Sequence, residues 1–223
     1  SDQPLDLLPD FCFAQALVRL GLIEERDRTS DAIRARPIWE LLSANGISAG
    51  VIGWPLTHPA HSVNGYLISD EFLDRDATSV ITSLKGEPPL AFPPEVLDQA
   101  RAVRMQPVAG PSSIAFAAQQ SSGTQPREGR STPSGAISAD AVADQLARAL
   151  GEGRPVQFSA VRYSGIDAVG HYYLRYAEPR AFGDVSDDGR QRHGRVLEQY
   201  YTYLDGIIGE AMTALGPDDL LLI

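Results

Sequence analysis

An aspartate and a histidine four residues apart are the side chains of this sequence best suited to do chemistry. Asp167 and His171 follow directly after an apolar segment at 156–161. If the chain winds into a helical turn here, both side chains fall on one face and can reach one cation. A carboxylate oxygen and an imidazole nitrogen suit a zinc-like ion. The alternative is structural: Asp167 caps the next helix, while His171 packs or forms a hydrogen bond.

Three further side chains are candidates for a substrate pocket. His58 and His61 follow a predicted strand that ends near Trp54, and Tyr173 lies just after the Asp–His pair. Open parallel sheets bind ligands beyond the carboxyl ends of their strands, where such loops lie. The alternative for both histidines is a surface position, and for Tyr173 it is packing. The catalytic residues stay unknown, because no Gly-rich phosphate loop, G-x-S-x-G elbow or C-x-x-C motif is present.

The elements that must position these residues alternate between helix and strand. Helical spacing, Pro at a helix start and Gly or Asn-Gly at a helix end define the helices, and short uncharged apolar runs define the strands. The predicted helices span 13–23, 37–46, 94–104, 138–151 and 189–215, and the predicted strands span 48–54, 156–161 and 220–223. This alternation predicts an α/β fold with a mostly parallel core sheet flanked by helices.

One long stretch of the chain differs from this pattern. Prolines are frequent between Pro88 and Pro111, and residues 119–135 are polar and rich in Gly, Ser and Pro without periodicity. We therefore expect 1–69 and 137–223 to form the α/β core. Residues 70–136 are expected to form an inserted, cap-like segment with a mobile loop.

Composition narrows the classes of partner. The chain has 223 residues, of which 43% are hydrophobic, and a net charge of -10. This charge disfavours a nucleic-acid polymer bound through its phosphates. Cys12 is the only cysteine, so an internal disulfide and a thiolate metal cage are both excluded. No transmembrane segment or signal peptide is visible, which leaves a soluble protein, cytoplasmic or exported, of open oligomeric state.

Three segments resemble the alkaline phosphatase superfamily, specifically its type I phosphodiesterase/nucleotide pyrophosphatase group. The first is the helix at 37–46 that leads into a strand and a Trp-Pro turn. The second, at 163–171, is similar to the metal motif Y...D..GH of the family. The third, at 203–209, is similar to its Y...D..ig helix. Order and spacing agree for all three segments, and the second is the specific one.

The resemblance implies a metal-dependent phosphoric ester hydrolase that acts on a small phosphorylated substrate. It implies two divalent metal ions, with zinc preferred, and Asp167 and His171 as ligands of one of them. In the family, a Thr or Ser nucleophile activated by a metal forms a covalent phospho-enzyme that water then hydrolyses. The two cations stabilise the attacking and leaving oxygens.

The sequence departs from the family pattern at both ends. Residues 1–36 contain neither the early metal-binding aspartate nor the nucleophile loop, and Thr29-Ser30 does not match it. The second Asp-His motif of the family normally follows the strand that here begins at Leu220. We therefore expect a partial piece of the enzyme that lacks the nucleophile and is inactive alone. The alternative is a non-catalytic relative that keeps the fold as a binding or structural module. A sulfatase relative is disfavoured, because no C-x-P-x-R motif occurs.

Overall fold

A four-stranded sheet forms the centre of the protein. The structure is a computed structural model that describes residues 22, 29–75, 80, 86–106, 132–183 and 185–223. The strands, in the spatial order β3–β2–β1–β4, are β1 (Ala49–Ile52), β2 (Gly65–Ile68), β3 (Ala91–Phe92) and β4 (Phe158–Val161). Strand β1 pairs in parallel with β2 and β4, and β3 pairs antiparallel with β2. The predicted α/β fold with a mostly parallel sheet is confirmed.

Helices flank this sheet. A short 3-10 turn at Ser30–Ala32 precedes them. In chain order they are α1 (Ile38–Ala44), α2 (Asp70–Asp74), α3 (Pro94–Arg104), α4 (Pro133–Gly153), α5 (Gly165–Ala177), α6 (Pro179–Phe182), α7 (Asp187–His193) and α8 (Val196–Ala214). Within the described residues, none of them is long and apolar enough to cross a membrane.

Helix α1 and strand β1 form where the sequence predicts them. Pro37 directly precedes α1, and Gly46 ends the turn after it with a φ of 79°, a conformation open to glycine at little cost. Strand β1 carries no charge, and all four of its residues are buried. A central parallel strand has helices or loops over both faces, so an uncharged run is what this position requires.

Both faces of the sheet are packed. On one face Ile52, Tyr66 and Ile68 contact α3 and the C-terminal half of α4. On the other face the sheet residues pack with Trp39 of α1. A third cluster lies away from the sheet, where Ile137 of α4 packs with side chains of α5 and α8. Helix α4 therefore joins the sheet to the pair α5–α8.

Two helix boundaries predicted from sequence are wrong. Helix α4 begins at Pro133 instead of Ser138, because Thr132 caps it: the Thr132 hydroxyl accepts a hydrogen bond from the Gly135 amide at 3.2 Å. The single long helix predicted over 189–215 is two helices, α7 and α8, separated at Gly194 and Arg195. Helix α7 also has its own cap at Ser186.

The strand predicted at 220–223 is also wrong. These residues have no strand structure, and Leu220, Leu222 and Ile223 are 79%, 81% and 91% exposed. An apolar run becomes a strand only beside a neighbouring strand that completes its hydrogen bonds, and no described strand lies beside this one.

Part of the predicted insertion belongs to the same layers as the core. Strand β3 and helix α3 both lie within 70–136, and α3 packs on the sheet with Val96 and Ala100 buried. The division of the chain at residues 69 and 136 stays a prediction. The helix predicted at 13–23 lies outside the described residues except for Leu22. Of the predicted mobile loop at 119–135, residues 119–131 also lie outside the described residues.

Candidate functional site

The candidate site lies at the start of α5. This helix begins at Gly165, four residues after β4 ends, and Asp167 and His171 lie one helical turn apart on it. Oδ1 of Asp167 is 3.3 Å from Nε2 of His171. The two side chains are 79% and 50% exposed. The structure thus brings the predicted pair together on an accessible face, just beyond the carboxyl end of a parallel strand, where ligands of such sheets bind.

The donor atoms of this pair suit two positions of a zinc site. Ligand atoms of a tetrahedral zinc ion, each about 2.1 Å from the metal, lie about 3.4 Å from one another, close to the separation observed. The same separation also fits an ordinary ion pair between residues i and i+4. Among the described residues no group of three or more His, Cys, Asp or Glu side chains is placed to hold a metal ion. The pair fits as part of a metal site, and its role as ligands stays a prediction.

The cap of α5 comes from another helix. Asp140 of α4 is 1% exposed, and its Oδ1 and Oδ2 accept hydrogen bonds from the amides of Ser164 at 2.8 Å and Gly165 at 2.9 Å. The side chain of Asp167 contacts His171 instead. The capping role considered for Asp167 therefore belongs to Asp140.

Tyr200 of α8 completes this buried cluster. Its hydroxyl donates a hydrogen bond to Oδ2 of Asp140. Burial raises the pKa of Asp140, while the bonds from Tyr200 and the two amides act in the opposite direction. Burial and the adjacent Asp140 raise the pKa of Tyr200. The cluster thus links α4 and α8 to the start of α5, two residues before Asp167.

Sequence reasoning missed this cluster, although one signal was present. Asp140 lies one helical turn from Ala136 and Ile137 on one side and from Ala143 on the other. A carboxylate on the apolar face of a helix is costly unless several donors satisfy it. Such a residue is a reason to search for hydrogen-bond donors on neighbouring elements.

A second carboxylate organises the loop after β1. Asp70, the first residue of α2, accepts hydrogen bonds from the amides of Leu56 at 2.7 Å and Thr57 at 3.2 Å. The Asp70 amide in turn donates to the Thr57 hydroxyl at 3.0 Å. This loop is thereby fixed against the carboxyl end of β2.

A cavity of about 250 Å³ lies between the 3-10 turn and this loop. His61 lines it, with Nε2 at 3.2 Å from Oγ of Ser30 and 3.1 Å from Oδ1 of Asp31. Nδ1 of His61 is 3.7 Å from Oε1 of Glu40. Ser30 itself donates to the Pro59 carbonyl, so its proton is not directed at the histidine. These contacts hold the 3-10 turn against the loop.

The predicted pocket residues lie in different places. His61 is on the wall of the cavity, to which no described residue of α5 contributes. His58 is half-buried, and its Nδ1 has no hydrogen-bond partner in the described structure. Tyr173 is 1% exposed and packs against Tyr176 and His193. The structure does not bring these three residues together with Asp167 and His171, and their role in binding substrate stays a prediction.

A sequence model of a known protein family matches most of the chain. A sequence model described as type I phosphodiesterase / nucleotide pyrophosphatase matches residues 15–223. No curated protein and no solved structure matches the chain. The family indicated by the three sequence segments is confirmed.

Proposed function

This chain belongs to the type I phosphodiesterase/nucleotide pyrophosphatase family, and on that premise we propose that it is part of a metal-dependent hydrolase of phosphodiester or pyrophosphate bonds. Asp167 and His171 would hold one of two divalent cations, with zinc preferred. The observation that carries this proposal is their 3.3 Å contact on an exposed face beyond β4. A buried or separated pair would not support it.

The residues of the chain act by holding donor atoms in place. When bound, a zinc-like cation stabilises negative charge on the phosphoryl oxygens in the transition state. Asp167 would supply a carboxylate oxygen and His171 an imidazole nitrogen, both from helix α5. The family points to a small phosphorylated substrate, and the negative charge of the chain opposes binding of a nucleic-acid polymer. We assign the nucleophile to no described residue.

A second function also fits the described residues. The described residues offer no third ligand beside Asp167 and His171. A non-catalytic relative that uses the fold as a binding or structural module would have such an incomplete site. The two functions differ in whether the pair binds metal and whether the protein turns over a phosphodiester.

The test measures zinc and manganese affinity and hydrolysis of a bis-aryl phosphate by the full-length protein. A double variant, Asp167→Asn with His171→Gln, removes both donor groups. The matched control is Asp188→Asn with Arg192→Gln on α7, an exposed pair of the same i, i+4 spacing. We expect the first variant to lose zinc affinity by at least about tenfold and to lose metal-dependent turnover, while the control retains both.

Each other result has a definite meaning. If the double variant binds metal and turns over substrate like the wild type, Asp167 and His171 are not ligands. If the wild type binds no metal and hydrolyses nothing, the non-catalytic function is the better one.

A further inference from the structure

The Asp140–Tyr200 cluster is a buried, fully hydrogen-bonded polar group that the proposed function does not yet use. Its carboxylate has donors from two other segments, the amides of Ser164 and Gly165 and the hydroxyl of Tyr200. Asp140 is 1% exposed and Tyr200 is fully buried. A charged group at this depth persists only when its hydrogen bonds are satisfied.

The cluster lies immediately before the candidate ligands. Gly165 is two residues before Asp167, and a Cβ added at Gly165 would lie 2.7 Å from Oδ2 of Asp140 and would also contact the Tyr200 hydroxyl. The backbone therefore approaches the carboxylate as closely as a glycine allows. The fixed position of Gly165 therefore restricts where the backbone can place Asp167, two residues later.

Packing fixes the rest of α5 against the same elements. Val169 and Tyr173, which lie on the opposite side of α5 from the exposed pair, pack with Ile137 of α4 and with Val196 and Tyr200 of α8. A local Ser or Thr cap would satisfy the helix end without fixing its direction. A cap supplied by α4 and bonded to α8 fixes both the start of α5 and its orientation.

We infer that Asp140 and Tyr200 are positioning residues: they hold the first turn of α5 in place, so that helical spacing brings Asp167 and His171 within reach of one divalent cation. This inference rests on the proposed function. Neither residue touches the cation or substrate; both act through the backbone at Ser164 and Gly165. The negative charge of Asp140 at the start of α5 is also favourable to the helix dipole.

Two conservative variants test the inference in the full-length protein. Tyr200→Phe keeps the buried ring and removes the hydroxyl, and Asp140→Asn keeps the shape and removes the charge. The matched controls are Tyr201→Phe, a 58% exposed tyrosine on the same helix, and Asp144→Asn, one turn further along α4 and paired with Arg148. Zinc affinity is measured by competition with a chromophoric chelator, well below the unfolding temperature of every variant. The nitrogen and proton chemical shifts of the His171 ring are measured without metal.

We expect Tyr200→Phe and Asp140→Asn to weaken zinc binding by about tenfold, the lower end for groups that support metal ligands. The His171 ring signals should move toward those of an Asp167→Asn variant, because the 3.3 Å contact is loosened. Both controls should match the wild type. A lower melting temperature with unchanged zinc affinity and unchanged ring signals would overturn the inference, since the cluster would then support only the fold.

The two proposals can fail separately. If wild-type zinc affinity does not depend on Asp167 and His171, the proposed function fails. The metal-free ring signals then still decide whether Asp140 and Tyr200 position the pair. If Asp140→Asn does not fold, Tyr200→Phe decides the question, because its packing surface is retained.

Discussion

The aromatic ring of Tyr66 lies directly over Gly50, its partner in the parallel pairing of β1 and β2. A Cβ added at Gly50 would lie 2.6 Å from the Tyr66 hydroxyl oxygen and 2.8 Å from its Cε2. Both distances are shorter than any normal contact. The Tyr66 ring occupies the space that a side chain at position 50 would need, so a larger residue at one position requires a smaller one at the other.

The first prediction follows from this shared space. Gly50→Ala should lower the free energy of unfolding by about 1–3 kcal/mol, because an extra methyl group must displace a ring buried in the core. Urea unfolding measures the change. In a double variant with Tyr66→Leu, the loss of stability should be smaller than the sum of the losses in the two single variants, because the smaller side chain leaves room for the methyl group. Simple additivity would contradict the prediction.

The loop after β1 should depend on one carboxylate. Asp70→Ala leaves the amides of Leu56 and Thr57 without their acceptor, so we expect a loss of about 1–3 kcal/mol in the free energy of unfolding. Thermal and urea unfolding both report it. Asp98→Ala is the control, because Asp98 is 82% exposed and makes a surface pair with Arg101. Equal losses in the two variants would show that the hydrogen bonds from Leu56 and Thr57 to Asp70 do not stabilise the fold more than a surface ion pair does.

Stability should decline at alkaline pH because buried tyrosines resist ionisation. Burial raises the pKa of Tyr66, Tyr163 and Tyr200, and raises that of Tyr203 to about 12. Above the ordinary value of 10.0, the unfolded chain loses these protons while the folded chain keeps them. The free energy of unfolding is therefore fully retained below that pH and falls as the pH rises toward 12.

Tyr203→Phe isolates one of these groups. The variant should show a shallower decline, with a change in slope of at most about 1.4 kcal/mol per pH unit. Urea unfolding across the alkaline range measures the slope, and absorbance of the phenolate follows the ionisation itself. An unchanged slope would mean that Tyr203 ionises equally easily in the folded and unfolded chains.

The two tryptophans should differ in their access to solvent. Trp39 is 8% exposed and Trp54 is 38% exposed, although their ring centroids are only 6.0 Å apart. We expect Trp54→Phe to remove most of the fluorescence that acrylamide quenches and to leave emission typical of a buried indole. Trp39→Phe should do the opposite. Equal quenching of both single-tryptophan variants would be inconsistent with Trp39 filling the face of the sheet next to β1.

Sequence patterns predicted the elements whose ends carry local signals. The helix at 94–104 was placed correctly because its proline start and apolar spacing lie within the segment itself. The closeness of Asp167 and His171 likewise follows from helical spacing. For residues 220–223 the apolar run was visible, but a strand also needs a neighbour, which no local pattern supplies.

The support beneath the candidate site could not be predicted for a related reason. Asp140 meets Gly165 and Tyr200 only through the packing of three helices. The sequence contains the carboxylate and its unusual place on an apolar face, but not the identity of its donors. Contacts between residues distant in sequence depend on how the helices and strands pack, whereas helix ends depend on the few residues around them.

The hydrogen bond from Tyr200 to Asp140 also imposes an order in time during synthesis. The ribosome adds Asp140, then Asp167 and His171, and only later Tyr200, so the start of α5 lacks its third support while α8 is still being made. Domains generally fold as units during synthesis, so this part of the fold is completed only when α8 is available. Until α8 has been made, Asp140 holds the start of α5 through its two amide hydrogen bonds alone, and Tyr200 reinforces that contact last.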